Sequence, residues 1–493
     1  MISDFIIESN KSIKDALILI NKNARGIAFV VDNKQLVGVV TDGDIRRSLI
    51  KGSKLSSTIS KIMNAKFVSL TTEASKEKIS KIFNEGMKGL TNGEHKNIKC
   101  IPLVNNSNEI VDLIFNFFDE QIPIYEPYLS GNEKKYLLSC LKSNWISSKG
   151  PYIDKFEKIF ENLHKGYKAL AVSSGTTALH LCLISKGITS GDEVIVPNLT
   201  FAASINAIIH AGATPVIVDV DPTTWTIDPN KIREVITEKT KAIMAVHLFG
   251  HSCEMDQIVN ISKENNLIII EDCAEAIGTR YKDKRVGTLG DTAAFSFFGN
   301  KTITTGEGGM ALFKNEEAYN KAKILRDHGM SNSKRYWHEI VGYNYRMTNM
   351  QAAIGVAQME RLEDIILTKR KIAENYTNSL SQLSSLSLPI EKNWCYHSYW
   401  AYGVILKDIN LDIDALQEKF KINEIEIRPF FYPLSEQPPY KSFRKGRSLS
   451  NSILLTKKGF LLPSSVNLSD KMAKKVCDVL SSIINLNKIV SGF

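Results

Sequence analysis

Four uninterrupted apolar runs, at residues 193–197, 215–219, 242–246 and 267–271, mark the middle of the chain, with stretches of mixed polarity between them. Runs of this length predict strands buried on both faces, and the segments between them predict helices. The expected architecture is therefore α/β, with a mostly parallel sheet covered on both sides. Polar residues gather where the runs end, and ligands of open α/β sheets bind at that edge.

The first part of the chain alternates on a shorter scale. Residues 12–21 predict an amphipathic helix, while 26–31 and 36–40 predict strands joined by the turn Asp32-Asn33-Lys34. The order recurs as a helix over 74–86, a strand over 100–104, a turn at 105–108 and a strand over 109–115. Residues 1–118 are thus expected to form an α+β tandem, with 119–124 as a linker and 125–365 as a large α/β domain. A change of composition between Ile366 and Leu388, from a long polar helix to Ser/Leu repeats, predicts a small C-terminal α+β domain over 366–493.

Composition narrows the class. The chain of 493 residues exceeds one ordinary core, and 43% hydrophobic with 23% charged residues describes a globular chain, not a disordered one. No run is long enough to cross a membrane, and Met1-Ile2-Ser3-Asp4-Phe5 lacks the basic and apolar regions of a signal peptide. A cytoplasmic protein without membrane association is expected. Seven cysteines with no Cys-x-x-Cys pair fit reduced thiols better than a disulfide framework or a zinc site, and no metal is expected. The net charge of +9 is spread along the chain without the dense basic stripe of a nucleic-acid-binding protein. It suits anionic small substrates such as phosphates.

Candidate chemistry centres on Lys301, set among small and glycine-rich residues between Ser296 and Gly309. A lysine amine is a useful nucleophile when it is placed beside an electrophilic carbonyl and partly deprotonated. Glycines around it let backbone approach a bulky ligand. Ser174, Gly175 and Thr176 occupy a turn between a predicted strand and a predicted helix, where free N–H groups and hydroxyls suit a phosphate monoester. Ser296 adds another hydroxyl. Asp272 closes a predicted strand; there it can keep a pyridinium nitrogen protonated, or cap a following helix. Glu275, three residues on, would share a helical face with it. Phe201 can cover one face of a planar ring or pack in the core.

Taken together, the Lys301 stretch and Glu271-Asp272-Cys273-Ala274-Glu275-Ala276 resemble the DegT/DnrJ/EryC1/StrS family, the pyridoxal 5′-phosphate sugar aminotransferases of aspartate-aminotransferase-type fold (fold type I), from about Ile124 to the C-terminus. The resemblance implies that Lys301 binds the cofactor aldehyde covalently and that Asp272 pairs with the pyridine nitrogen. It places Phe201 on the ring and Ser174, Gly175, Thr176 and Ser296 at the phosphate. It also implies a homodimer or higher assembly with shared sites, Asn344 serving the partner's phosphate site, and a nucleotide sugar and L-glutamate as substrates.

Glu275, where many members have Gln or His, together with Trp145-Ile146-Ser147-Ser148-Lys149-Gly150 and Tyr336-Trp337-His338-Glu339, is similar to the branch that aminates C4 of GDP-4-keto-6-deoxy-D-mannose to give GDP-perosamine. A UDP- or dTDP-linked 4-keto sugar is the alternative substrate. The dehydratase branch replaces the lysine with His, so Lys301 argues against it. Expected substrate contacts are Trp145, His338, Arg346 and Arg428. The N-terminal tandem resembles a CBS-domain pair, a module that often binds adenine nucleotides and regulates its neighbour. That match rests on residues 38–47, with Gly38, Thr41 and Asp44 as the expected nucleotide site, although Thr41 and Asp44 serve equally well as caps of the helix beginning near Ile45. In the remaining alternative the tandem carries the function as a nucleotide-sensing scaffold and the second domain is inactive; the intact Lys301, Asp272 and Ser174 argue against it.

Overall fold

The computed structural model describes residues 2–23, 26–75, 78, 79, 82, 83, 98, 100–115, 121–331, 333–408 and 411–491. The chain divides into two compact units, Met1–Gln121 and Ile122–Phe493.

In the first unit, the helix Ile13–Asn23 places Ile13, Ala16 and Ile20 on one buried stripe, as helical spacing requires. The stripe packs on Ala28, Val30 and Val40. The strands Ile6–Glu8, Ile27–Asp32 and Gln35–Thr41 pair first parallel and then antiparallel. Leu70–Thr71, Cys100–Val104 and Ile110–Phe115 repeat that plan. At the predicted turn, Asn33 and Lys34 adopt φ of 50° and 69°, the left-handed pair that matches the twist of a two-residue hairpin. The helix expected over 74–86 lies largely outside the described residues.

The second unit is organised by a seven-stranded sheet. Its spatial order is Lys168–Val172, Gly309–Phe313, Thr292–Ser296, Ile268–Asp272, Thr240–Val246, Glu193–Pro197 and Thr214–Val218. All pairings are parallel except those of Gly309–Phe313, which runs against both neighbours. The four apolar runs of the sequence are the four strands at one side of this sheet. The helix Gly175–Ser185 is buried nearly all round and packs with Ile205, Ile208 and the sheet residues Val194 and Met244 in the largest core.

A smaller antiparallel sheet follows, in the order Leu386–Ser387, Tyr402–Leu406, Gly459–Leu462 and Arg428–Pro429. The sequence boundary at 365/366 falls inside the helix Leu362–Leu380. Its Ile365 and Ile366 pack in the core around Phe156 and Phe297, whereas Ile372, Tyr376 and Leu380 belong to the core of the small sheet. One helix therefore ties both cores together.

Residues 122–124, expected within a linker, are built into the second unit. Ile122 pairs with Ile425, the Ile124 N–H donates to Glu426 Oε2 at 3.1 Å, and both isoleucines are buried. Ile124→Ala is expected to destabilise this unit by about 2–4 kcal/mol, read from its denaturant midpoint, where a solvated linker residue would change it by less than about 0.5 kcal/mol.

Candidate active site

A cavity of about 390 Å³ opens where the strands of the large sheet end, and its walls bring together Ser174, Gly175, Thr176, Phe201, Asp272, Glu275, Ser296, Lys301 and Arg428. These nine positions come from five separate stretches of the chain; four of the stretches end or follow strands of the large sheet, and Arg428 lies on the edge strand of the small one. Ser174 caps the helix Gly175–Ser185 in a reciprocal capping box with Thr177. The first N–H groups of that helix are thus presented at a wall of the cavity, beside the Ser296 hydroxyl, an arrangement that favours an anion. The fit is close. A Cβ on Gly175 would lie 2.7 Å from Ser296 Cβ, and one on Gly309 would lie 2.3 Å from the Ser174 carbonyl oxygen.

Asp272 is buried at the end of its strand. Ser204 Oγ donates to its Oδ2 at 2.8 Å and the Ala274 N–H donates to its Oδ1 at 3.1 Å. Burial raises its pKa, opposed by those two hydrogen bonds and by the charge of Lys301. No salt bridge to it occurs among the described residues. A buried carboxylate lining a cavity of this size, without its own ion-pair partner, fits a cationic ring nitrogen.

Glu275 is reached through a tight turn, not along a helix: residues 273–279 contain no helix, and the Ala276 N–H donates to the Cys273 carbonyl at 3.0 Å. The expectation of a helix after Asp272, with a shared face, is corrected here. The bond from Ala274 to the Asp272 carboxylate pulls the chain back as soon as the strand ends. Glu275 Oε1 accepts from Lys301 Nζ at 3.3 Å, and its Oε2 accepts from the Phe249 N–H at 3.1 Å. Burial raises the Glu275 pKa, with the charge of Lys301 opposing it. Phe249 holds its N–H there at φ 54°, a left-handed conformation that costs about 1–2 kcal/mol outside glycine.

Lys301 is mostly buried. Its ammonium lies 4.2 Å from the centroid of the Trp400 ring, a cation–π contact. Trp400 Nε1 donates to the Asn300 carbonyl at 2.9 Å. Phe201 is 56% exposed, with its centroid 5.7 Å from that of Phe431. Its ring is therefore available at the cavity wall and is not spent on the core. Arg428 bonds to Glu426 Oε1 through Nε and Nη2.

Ser204, Thr200, Trp400 and Phe431 were not anticipated. Ser204 and Thr200 flank Phe201 in a stretch rich in small residues, which offered a weak signal. Trp400 and Phe431 come from the small domain, and nothing local in the sequence points to them.

Four expected residues do not line the cavity of this single chain. Asn344 accepts from Arg346 Nε at 3.1 Å, and Arg346 Nη1 pairs with Asp327 at 2.6 Å. Trp145 is half exposed, and its carbonyl accepts from Asn349. His338 sits on an exposed loop with Tyr336, Trp337, Ile340 and Val341, the last 92% exposed. His247, Glu271 and Cys273 bring donor atoms within 4.8 Å of one another below Asp272. The Glu271 oxygens, however, already accept from the Gly287, Leu289 and Gly290 N–H groups and from His247. The group anchors the strand end from beneath.

The first unit has its own cavity of about 460 Å³, walled by Gly26, Thr41, Asp44, Arg46, Arg47 and Lys66 among others. Thr41 and Asp44 form a reciprocal capping box while lining it, so the two readings of these residues hold together. Asp44 also pairs with Arg47 at 2.6 Å. Gly38 is not on the wall; a Cβ there would lie 2.7 Å from Met63 Sδ, so its smallness makes room for the Met63 side chain.

Residues 127–481 match the DegT/DnrJ/EryC1/StrS aminotransferase family, and residues 1–51 match the CBS domain. The chain is 45% identical to GDP-perosamine synthase of Escherichia coli O157:H7 over 360 residues, covering 73% of this chain and 98% of that protein. It is 45% identical to GDP-perosamine synthase of Vibrio cholerae over 365 residues, covering 74% and 99%. An aminotransferase from Psychrobacter cryohalolentis superposes with a TM-score of 0.70 at 29% identity, covering 74% of this chain and 99% of that one. Among the described residues no helix is long and apolar enough to cross a membrane. A CBS domain thus stands at the N-terminus, and from residue 127 onward the chain belongs to the DegT/DnrJ/EryC1/StrS aminotransferase family, with pyridoxal phosphate as its cofactor.

Proposed function

We propose that the second unit transfers the amino group of L-glutamate to C4 of GDP-4-keto-6-deoxy-D-mannose, forming GDP-perosamine. The observation that carries the reading is the convergence of Lys301, Asp272, Glu275 and the N-terminus of the helix Gly175–Ser185 on one cavity. The choice of sugar nucleotide is supported by relatives named GDP-perosamine synthase that match nearly end to end.

When bound, the cofactor supplies an aldehyde and a ring that takes up the electron pair released at the reacting carbon. Ser174, Gly175, Thr176 and Ser296 would hold its phosphate through N–H groups and hydroxyls. Asp272, fixed by Ser204, would keep a proton on the ring nitrogen. Phe201 would cover one ring face. Lys301 Nζ is first nucleophile, then the base that takes the proton from the glutamate Cα, and in the second half-reaction the acid that delivers one to C4 of the sugar. Glu275 Oε1 keeps that amine within reach when it is not covalently engaged. A second copy of the chain completes the site, with the partner supplying the residue equivalent to Asn344; the exposed apolar loop around Trp337 and Val341 supports such an interface.

Lys301→Ala is expected to abolish the visible absorbance band of the lysine-bound cofactor and to lower turnover by about 10⁴-fold or more; a variant that still aminates the sugar removes Lys301 from its role. Ser204→Ala is expected to weaken cofactor binding by roughly tenfold, measured by fluorescence titration of the cofactor-free protein, because one hydrogen bond to a buried carboxylate is lost. With glutamate and a panel of GDP-, UDP- and dTDP-linked 4-keto sugars, the GDP substrate is expected to be aminated with kcat/KM about 100-fold or more above the others. Preference for a UDP or dTDP sugar overturns the substrate assignment and leaves the transaminase reading standing.

For the first unit we propose an adenine-nucleotide regulatory site in the cavity walled by Thr41 and Asp44. The hydroxyl and carboxylate provide a donor and an acceptor, and Arg46, Arg47 and Lys66 provide positive charge. Calorimetric titration with AMP and ATP is expected to show binding that Thr41→Ala weakens about tenfold; unchanged affinity in that variant sinks the assignment.

A further inference from the structure

A second cavity shares Asn300 and Lys301 with the active-site pocket. Its volume is about 10 Å³, room for one water molecule. On its walls stand Tyr125, Asn300, Thr302 and Ser465, and each carries a buried side-chain oxygen without a hydrogen-bond partner: Tyr125 Oη, Asn300 Oδ1, Thr302 Oγ1 and Ser465 Oγ. Unpartnered buried polar atoms are rare in folded proteins, and four around a single small void mark a place for a polar occupant that bonds to several of them.

The same wall includes Lys369, from the middle of the helix that ties the two cores together. It is 5% exposed. Its Nζ donates to the Trp400 carbonyl at 3.2 Å and to the Ser464 carbonyl at 2.6 Å, which leaves a third N–H in the ammonium form and a lone pair in the neutral amine, either able to bond to a water. Burial lowers its pKa to about 7. The other ionisable groups on the wall are Tyr125, Glu126, Tyr128 and Lys301, and Glu126 accepts from Asn467 Nδ2 at 2.7 Å. No carboxylate forms an ion pair with Lys369 among the described residues. A leucine or methionine would fill this space without the desolvation cost of an amine.

What the amine does hold is Trp400. The Trp400 backbone is bonded to Lys369, its indole N–H to Asn300, and its ring stacks on Tyr125 with centroids 5.0 Å apart and planes 12° apart. The ring so fixed covers the Lys301 amine.

We propose that Lys369 is a positioning residue for Lys301: it pins the backbone of Trp400 and, with Tyr125, Asn300, Thr302 and Ser465, encloses one water that fixes the Lys301 loop and the indole over its amine. The inference rests on Lys301 being the reacting amine. Lys369 touches neither substrate nor cofactor in this scheme and acts through Trp400 and the water.

The test compares wild type, Lys369→Met and Lys369→Gln, each with and without Trp400→Phe, so that the Trp400 fluorescence is obtained by difference in the cofactor-free protein. In Lys369→Met, acrylamide quenching of Trp400 is expected to rise about twofold or more and kcat to fall about tenfold, while KM for glutamate and for the nucleotide sugar stays within about twofold. Lys369→Gln, which keeps two N–H donors, is expected to recover most of the shielding and of kcat. Unchanged quenching and kcat in Lys369→Met overturn the proposal. So does a loss spread over kcat and both KM values that Lys369→Gln does not recover, because that describes general damage. If Lys369→Met does not fold, a high-resolution crystal structure of the wild type decides: a water bonded to Lys369 Nζ supports the cell, and a dry void overturns it. The fluorescence result does not depend on the reaction assigned, so a failed amination assay leaves it separately readable.

Discussion

A carboxylate taken out of water at the end of a strand is costly unless something meets its charge. The second unit is arranged around one such group. Asp272 is held by one hydroxyl and one backbone N–H, both of which favour the charged form, and it still has a raised pKa because burial outweighs them. The unmet portion of that charge faces the cavity, and this is the basis of the role proposed for Asp272 toward a cationic ring. Beneath it, Glu271 points to the opposite side of the sheet with four donors around it and leaves no comparable deficit. Two neighbouring acids on one strand thus differ, Glu271 bonded into the protein and Asp272 lining the cavity, because alternate residues face opposite sides of a sheet.

Lys301 is governed from the other direction. Its amine is enclosed by Glu275 on one side and the Trp400 ring on another, so a flexible four-carbon chain is confined without a direct bond to Asp272. Glu275 is itself placed by the Phe249 N–H, in a backbone conformation that is unfavourable for phenylalanine. Such strain concentrated at a working site is the kind that surrounding structure must enforce.

The parts legible in the sequence were those written contiguously. The four apolar runs became four neighbouring strands, and Ser174, Asp272, Ser296 and Lys301 met because each sits at a strand end or just beyond one. The N-terminal hairpin was readable because Asp32-Asn33-Lys34 tolerates left-handed backbone. The segment after Asp272 was misread: a carboxylate at a strand end suits a helix cap, and Glu275 three residues on suits a shared helical face, but a hydrogen bond from the Ala274 N–H to that carboxylate diverts the chain into a turn. Ile122 and Ile124 looked like connector because three residues carry no period, and their burial depends on Ile425 and Ser464, hundreds of positions away. Trp400 and Lys369 were invisible for the same reason. Their importance lies in partners that only the tertiary structure supplies.

The surroundings of the Lys301 amine come from widely separated portions of the chain: Tyr125 near the start of the unit, Lys369 and Trp400 well after Lys301, and Ser464 and Ser465 later still. A polypeptide emerging from the ribosome in order would present the turn at Ser174, Asp272 and Lys301 long before the last of these walls exists. Lys301 therefore acquires its final surroundings only after residues 464 and 465 have been added, more than 160 positions behind it.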